Sequence, residues 1–179
     1  MTVELKDEIK KKLPFEHAEE EAYLNLLRTS TILIADFEKL LKEHGLSEPQ
    51  YNVLRILRGA GGSGLPCLEV GSRMITRVPD TTRLVDRLEA AGYVERRRIS
   101  EDRRVVLVKI TKKGLAAIAP LDDKLLAIHK KQMGHMTRDE LKELSRLLVK
   151  ARHPDGGTET VSCDGTSRAD AARVGATQK

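Results

Sequence analysis

One stretch, from Val94 to Gly114, constrains the possible folds of this chain more than any other. It reads VERRRISEDRRVVLVKITKKG, so arginines lie on both sides of a short polar segment. The apolar run Val105–Ile110 is typical of a β-strand, and Tyr93–Val94 is predicted to form its partner. A turn of about five to seven residues between them is a common hairpin length. We therefore expect a stiff two-stranded stem that holds a charged tip against another molecule.

The positive charge of the chain is concentrated around this stem. Residues 73–114 carry 12 Lys and Arg against 6 Asp and Glu, whereas residues 1–72 carry 9 against 12. The central segment alone therefore has a net charge of +6, compared with +5 for the whole chain. A localised basic surface favours a polyanion, and nucleic acid is the common one. A solvated basic face without a partner is the alternative interpretation of the same charge.

Composition narrows the class of protein. The 179 residues suit one domain of ordinary size, and Trp is absent, so the core must be aliphatic. Charged residues make up 33% of the chain and many recur at helical spacing, which predicts a mainly helical protein.

No apolar run approaches the roughly 20 residues of a membrane span, and no secretory signal is recognisable. Cys67 and Cys163 lie far apart, which indicates a reducing, cytoplasmic compartment.

A long helix is predicted over residues 16–44, after a short one at 3–12 that Pro14 stops. The long helix has two apolar stripes rather than one, and Gly45 is expected to end it. One stripe can serve the core of its own subunit, so the second predicts another partner, such as a second copy of this chain. Burial of the whole helix within one subunit is the alternative. The stripes are Tyr23, Leu27, Ile34 and Leu41, and Leu26, Leu33, Phe37 and Leu40.

A helix-turn-helix is predicted after the next helix. Ser47 and Gln50 form a capping box that starts a helix over residues 47–58, and a glycine-rich loop follows it. The segments LPCLEVGSRM and PDTTRLVDRLEAAG then predict two short helices across a tight turn. Pro79 is placed in the first turn of the second helix. Polar groups there can bind phosphates and base edges in a major groove, and those predicted are Asp80, Thr81, Thr82, Arg83 and Arg87.

A helix-turn-helix followed directly by a basic hairpin is a winged helix. Its wing tip can reach the minor groove, where arginine is favoured. The predicted fold class is mainly α with a small β-hairpin, in which N- and C-terminal dimerisation helices flank a winged helix-turn-helix domain. Pro120 is expected to bend or break the helix over 112–133, and Thr137 with Glu140 caps a last helix. The predicted domains are dimerisation helices at 1–46 and 113–152, the DNA-binding domain at 47–112 and a disordered tail at 153–179.

Three segments, in order, resemble the MarR family of bacterial transcription regulators. They are LSEPQYNVLRIL, TTRLVDRLEAAGYVERRR and SEDRRVVLVKITKKG, and the resemblance covers about residues 20–152. It implies an obligate homodimer whose two winged helices face successive turns of a pseudo-palindromic site in double-stranded DNA. It also implies a repressor that a small aromatic or anionic effector releases from its operator.

The resemblance further implies roles for individual residues. Arg104 would lie in the minor groove, Asp102 would hold it by a salt bridge, and Arg103 would lie by the phosphates. Arg98, at the start of the wing, belongs to the same predicted DNA-binding set. An effector pocket is expected where helix 16–44, helix 47–58 and the helix-turn-helix meet, and its candidate lining residues are His44, Tyr51 and Arg73.

Nothing in the residue pattern supports catalysis, a metal or a cofactor. His129 and His135 are six positions apart, a spacing that does not place two ligands on one helix face. The chain is therefore predicted not to be an enzyme. The remaining alternative is a winged helix that binds a protein or RNA, because fold does not dictate function. Cys67 at a helix start could be a reactive thiol, although a small buried hydrophobe is the commoner role.

Overall fold

A computed structural model describes residues 3–98 and 106–154 of the chain. Three antiparallel strands form one sheet in the order β1-β3-β2, and a single 3-10 turn at Gly61–Ser63 precedes it. The prediction of a mainly helical chain with a small β element is confirmed. The strands are β1 (Leu65–Pro66), β2 (Val94–Arg98) and β3 (Val106–Ile110). The helices are α1 (Leu5–Glu8), α2 (Ala18–Glu43), α3 (Glu48–Gly59), α4 (Cys67–Ser72), α5 (Thr81–Ala90), α6 (Lys112–Ile118), α7 (Leu121–Met133) and α8 (Arg138–Arg152).

Local capping chemistry sets the starts of α3 and α8 as predicted. The Ser47 amide donates to Oε1 of Gln50 at 2.9 Å, and the Thr137 amide donates to Oε2 of Glu140 at 2.7 Å. Gly45 follows α2 with a φ of +69°. Pro120 breaks the predicted helix over 112–133 into α6 and α7 because proline lacks the amide hydrogen that would continue it.

Two predicted helix boundaries were wrong. α1 spans Leu5–Glu8 rather than residues 3–12, since the backbone turns into the left-handed region at Lys10, with a φ of +55°. α5 begins at Thr81, so Pro79 precedes the helix instead of lying in its first turn. The Asp80 side chain accepts a hydrogen bond from the Arg83 amide and therefore fixes the helix start two residues later than proline geometry alone suggested.

The sheet differs from the expected two-stranded hairpin in two ways. β2 does not stop after Val94 but continues to Arg98, which pairs with Val106. The three consecutive arginines therefore belong to the stem of the wing, because backbone pairing with β3 extends through them. β1 was not predicted at all. It is two residues long, too short to show any periodicity, and it pairs with Leu107 and Val108.

An aliphatic core joins the winged helix to the helices on either side of it, as the composition predicted. Most of α2 and all of α8 bury no residue, so a large part of the helical surface lies outside this core. Within the described residues, no helix has both the length and the apolar character needed to cross a bilayer. The largest fully buried side chains are Leu41, Leu54, Leu57, Leu88, Ile118 and Leu121.

We predict that Gly64→Ala destabilises the fold, whereas Gly62→Ala does not. Gly64 has a φ of 74° and a ψ of 179°, and an added Cβ would lie 2.7 Å from the Val108 carbonyl oxygen. That conformation is essentially restricted to glycine and costs another residue about 1–3 kcal/mol. Gly62 has no heavy atom within 4 Å of the same added Cβ, so its substitution should change the free energy of unfolding by less than about 0.5 kcal/mol. Urea denaturation measures both values, and equal losses would contradict the prediction.

Candidate nucleic-acid interface

The second helix of the helix-turn-helix, α5, is anchored by one face and exposed on the other. Leu84, Val85 and Leu88 pack into the core and are 2%, 0% and 0% exposed. These apolar positions recur at helical spacing, so the opposite face must point to solvent. The residues left exposed on α5 are Thr82, Arg83, Asp86, Arg87 and Ala90. Thr82, Arg83 and Arg87 are thus accessible, as the sequence predicted.

Asp80 has a structural role at the start of this helix. Its Oδ1 accepts a hydrogen bond from the Arg83 amide at 2.9 Å, and its Oδ2 lies 3.1 Å from Nε of Arg83. One carboxylate therefore satisfies an otherwise unpaired amide of the first turn and also orients an arginine. The Arg83 side chain remains 84% exposed, so it can still reach a partner.

The two threonines of the first turn lie at the contact with α4. A Cβ added at Gly71 would be 3.0 Å from Oγ1 of Thr81, which shows how closely α4 approaches this residue. Oγ1 of Thr82 lies 4.0 Å from Sγ of Cys67. Cys67 is half-buried and packs against the core, as expected of a small hydrophobe. Thr81, also half-buried, is the less accessible of the two threonines.

The arginines of β2 differ in their surroundings. Arg96 Nη2 lies 2.6 Å from Asp86 Oδ1, and its Nη1 lies 2.7 Å from Glu89 Oε2. Burial alone would lower the pKa of Arg96, but the hydrogen bonds and charges of Asp86 and Glu89 outweigh it and raise that pKa. Arg97 pairs with Glu95 at 2.8 Å, whereas Arg98 is exposed at the end of the strand.

Sequence reasoning missed the contact between Arg96 and α5. It treated Arg96–Arg98 as one basic group aimed at a partner. A signal was present, because Asp86 and Glu89 are three positions apart and so share one side of a helix. Asp102, Arg103 and Arg104 lie outside the described residues, and their roles stay predictions.

The three residues proposed to line an effector pocket are engaged in separate contacts. Tyr51 is buried and packs edge-on against Phe37, with 5.8 Å between ring centroids. Burial, together with the charge of Asp122, raises the pKa of Tyr51. His44 donates through Nδ1 to the Leu40 carbonyl at 2.9 Å and accepts from Lys124 through Nε2 at 3.0 Å.

Arg73 pairs with Glu69 on its own helix. Cavities in the described residues include one of about 410 Å³ between α1 and α2 and one of about 440 Å³ where α2 meets α3. His44, Tyr51 and Arg73 line neither of them. An effector pocket around these three side chains stays a prediction.

A helix-turn-helix with an exposed polar second helix, next to an antiparallel stem rich in arginine, defines the winged helix-turn-helix class. The MarR family model matches residues 46–106 of this chain. The HTH-type transcriptional regulator TtmR of Methylorubrum extorquens is 34% identical over 135 residues, which cover 74% of this chain and 67% of that protein. The chain belongs to the MarR family.

Solved structures agree with this assignment. A MarR transcription factor from Planctomyces limnophilus is 40% identical and superposes with a TM-score of 0.58, over 76% of this chain and 98% of that one. Sco3205, a MarR family regulator from Streptomyces coelicolor solved in complex with DNA, is 19% identical. Its TM-score of 0.71 covers 85% of this chain and 98% of that one, so it shows the same fold.

We predict that Asp80→Ala lowers the free energy of unfolding by about 1 kcal/mol, the usual cost of losing a helix N-cap. Asp80→Asn is the matched variant, because asparagine caps as well as aspartate but cannot form the ion pair with Arg83. It should retain most of the stability, since exposed ion pairs contribute little. Thermal or urea unfolding distinguishes the two. If both variants lose the same free energy, the ion pair and not the cap stabilises the start of α5.

Proposed function

We propose that this chain is a sequence-specific transcriptional regulator that binds double-stranded DNA, and that it acts as a repressor. The observation that carries this proposal is the placement of α5. Its apolar face is held in the core while Thr82, Arg83 and Arg87 face solvent beside the stem of the wing. A helix presented in this way fits a major groove, and short polar side chains with arginine can contact phosphates and base edges there.

The wing would contact the groove next to the one that holds α5. Arg98 is exposed at the end of β2, and the residues after it lead into the predicted tip. We propose that Arg104 enters the minor groove, that Asp102 orients it, and that Arg103 lies by the phosphates. A narrow minor groove has an enhanced negative potential, which favours a guanidinium group at this place.

The outer helices support a homodimer. α2 exposes several large apolar side chains, among them Tyr23 at 61% and Ile32 at 60%. α8 buries no residue at all and exposes Leu147 and Val149, at 47% and 48%. Apolar surface of this extent marks an interaction site. We propose that α1, α2, α7 and α8 pair with the same helices of a second copy, so that two winged helices face one pseudo-palindromic operator.

The effector stays a prediction from the family. We propose that the regulator acts on DNA in the cytoplasm and that a small aromatic or anionic molecule releases it. The contacts of α7 with both α2 and α3 support this proposal. Arg58 of α3 holds Asp122 of α7 through two hydrogen bonds of 2.8 and 2.9 Å, and Lys124 of α7 contacts His44.

Selection of bound sequences from random duplexes tests the proposal directly. We expect enrichment of a pseudo-palindrome with half-site centres about 10 base pairs apart. Sedimentation of the complex should show two chains on each duplex. The logarithm of the affinity should fall with the logarithm of salt concentration by about 0.9 for each phosphate neutralised. No enriched sequence together with a flat salt response would favour a winged helix that binds a protein partner instead.

Arg104→Ala should weaken binding to the selected duplex by at least about 1 kcal/mol, because a charged contact to DNA is lost. The control is Arg138→Ala, which removes the same charge from the exposed start of α8. Fluorescence anisotropy at physiological salt measures both variants. If the affinity of Arg104→Ala equals that of Arg138→Ala, the wing arginine has no part in binding.

A further inference from the structure

We infer that Arg96 is a positioning residue for DNA binding, which fastens the wing strand β2 to the recognition helix α5 so that both reach the duplex as one unit. The inference rests on the proposed DNA-binding function. It separates Arg96 from the neighbouring arginines, since it gives Arg96 no contact with DNA. Its partners Asp86 and Glu89 then share this positioning role. We call the contacts of Arg96 with these two carboxylates the clamp.

Three short contacts join Arg96 to the two carboxylates of α5. The guanidinium group lies 2.6 Å from a carboxylate oxygen of Asp86 and 2.7 Å from one of Glu89. The other Glu89 oxygen accepts from the backbone amide of Arg96 at 3.1 Å. Glu89 thus holds both the side chain and the backbone of the strand. Hydrogen bonds between ionised groups of this kind are stronger than neutral ones.

Burial makes this contact more persistent than the adjacent ion pair. The Arg96 side chain is 27% exposed, whereas that of Arg97 is 64% exposed. Salt screens charges in solvent more effectively than charges that are partly buried. Arg97 also lies on the other side of the strand, because successive side chains alternate between faces. The chain therefore contains a matched arginine one residue away that is not part of the clamp.

The clamp lies where it can set the angle of the wing. The base of the wing is held by hydrogen bonds of 2.7 Å from Thr111 Oγ1 to the Gly92 carbonyl and from Lys113 Nζ to the Ala91 carbonyl. Val94, at the start of β2, is buried in the core. Arg96 is the next residue on the same face, and Arg98 follows it towards the tip. Contacts at the middle of β2 limit a bending of the strand that contacts at its base alone would allow.

The clamp also controls charge on the recognition helix. Asp86 is exposed one turn after Thr82 and Arg83, so its carboxylate lies beside the groups proposed to meet DNA. An unpaired carboxylate there would repel phosphates. The guanidinium group of Arg96, which belongs to β2 and not to α5, compensates the charge of this carboxylate.

The test compares Arg96→Gln with Arg97→Gln on a duplex selected by the wild-type protein and on a random duplex. We expect Arg96→Gln to lower the ratio of specific to random affinity by about tenfold, comparable to one mismatched base pair. Arg97→Gln should leave that ratio unchanged. Because no phosphate contact is lost, the salt dependence of Arg96→Gln should equal that of wild type, whereas loss of a phosphate contact changes the slope by about 0.9.

For the double variant Asp86→Asn, Glu89→Gln, the clamp and the loss of negative charge alone predict opposite changes in DNA binding. Removing two negative charges near DNA would strengthen binding if Asp86 and Glu89 did not help to position β2. The clamp predicts a lower ratio of specific to random affinity instead. Adding Arg96→Gln to this double variant should then change the ratio little, because coupled residues are not additive.

Three results would overturn the clamp. They are an unchanged ratio in Arg96→Gln, an equal loss in Arg97→Gln, and a full further loss when Arg96→Gln is added to the double variant. Circular dichroism shows whether each variant is folded, and Arg96→Lys, which keeps the charge but loses the forked geometry, replaces Arg96→Gln if that variant unfolds. A wild-type protein that selects no duplex would refute the proposed function itself. Failure of the clamp alone would look different, because the wild-type protein would select a duplex and Arg96→Gln would bind it with the same specificity.

Discussion

Burial of the apolar face of α5 is the interaction on which the rest of the interface depends. Leu84, Val85 and Leu88 are almost completely inaccessible, and each contributes roughly 1.5–3 kcal/mol when buried. The same contacts fix the rotation of the helix about its axis. Because the helical period relates the two faces, the three buried residues determine which polar residues of α5 face solvent. The Asp80 cap then determines where the presented segment begins.

α7 links this anchored helix to the part of the molecule that is exposed and apolar. Leu121 and Leu125 of α7 are buried in the core, while Asp122 accepts two hydrogen bonds from Arg58. These bonds hold the pKa of Asp122 below its ordinary value, so the ion pair persists to more acidic pH than a free aspartate would allow. α7 therefore joins α2 to α3, which packs in the same core as α5.

Features that depend on neighbouring residues could be predicted from the sequence, and features that depend on distant contacts could not. The Ser47 and Thr137 capping boxes involve partners three positions away, and both are confirmed. The sequence also predicted the exposed polar face of α5, since helical periodicity alone requires it. β1 and the full length of β2 arise from pairing with β3, which no local pattern encodes. The Arg96 contact is of the same kind, because it joins a strand to a helix surface seven and ten positions earlier.

The arginine-rich sequence of the wing therefore overstates the charge that is available to DNA. Arg96 is compensated by two carboxylates and Arg97 by Glu95, so two of three consecutive arginines act within the fold. Exposed basic side chains in the described part of the winged helix include Arg98 on the strand, Arg83 and Arg87 on α5, Arg77 before α5 and Lys112 at the start of α6. The same run of arginines thus has two kinds of surroundings: Arg96 and Arg97 pair with carboxylates of the fold, whereas Arg98 lies exposed at the end of β2.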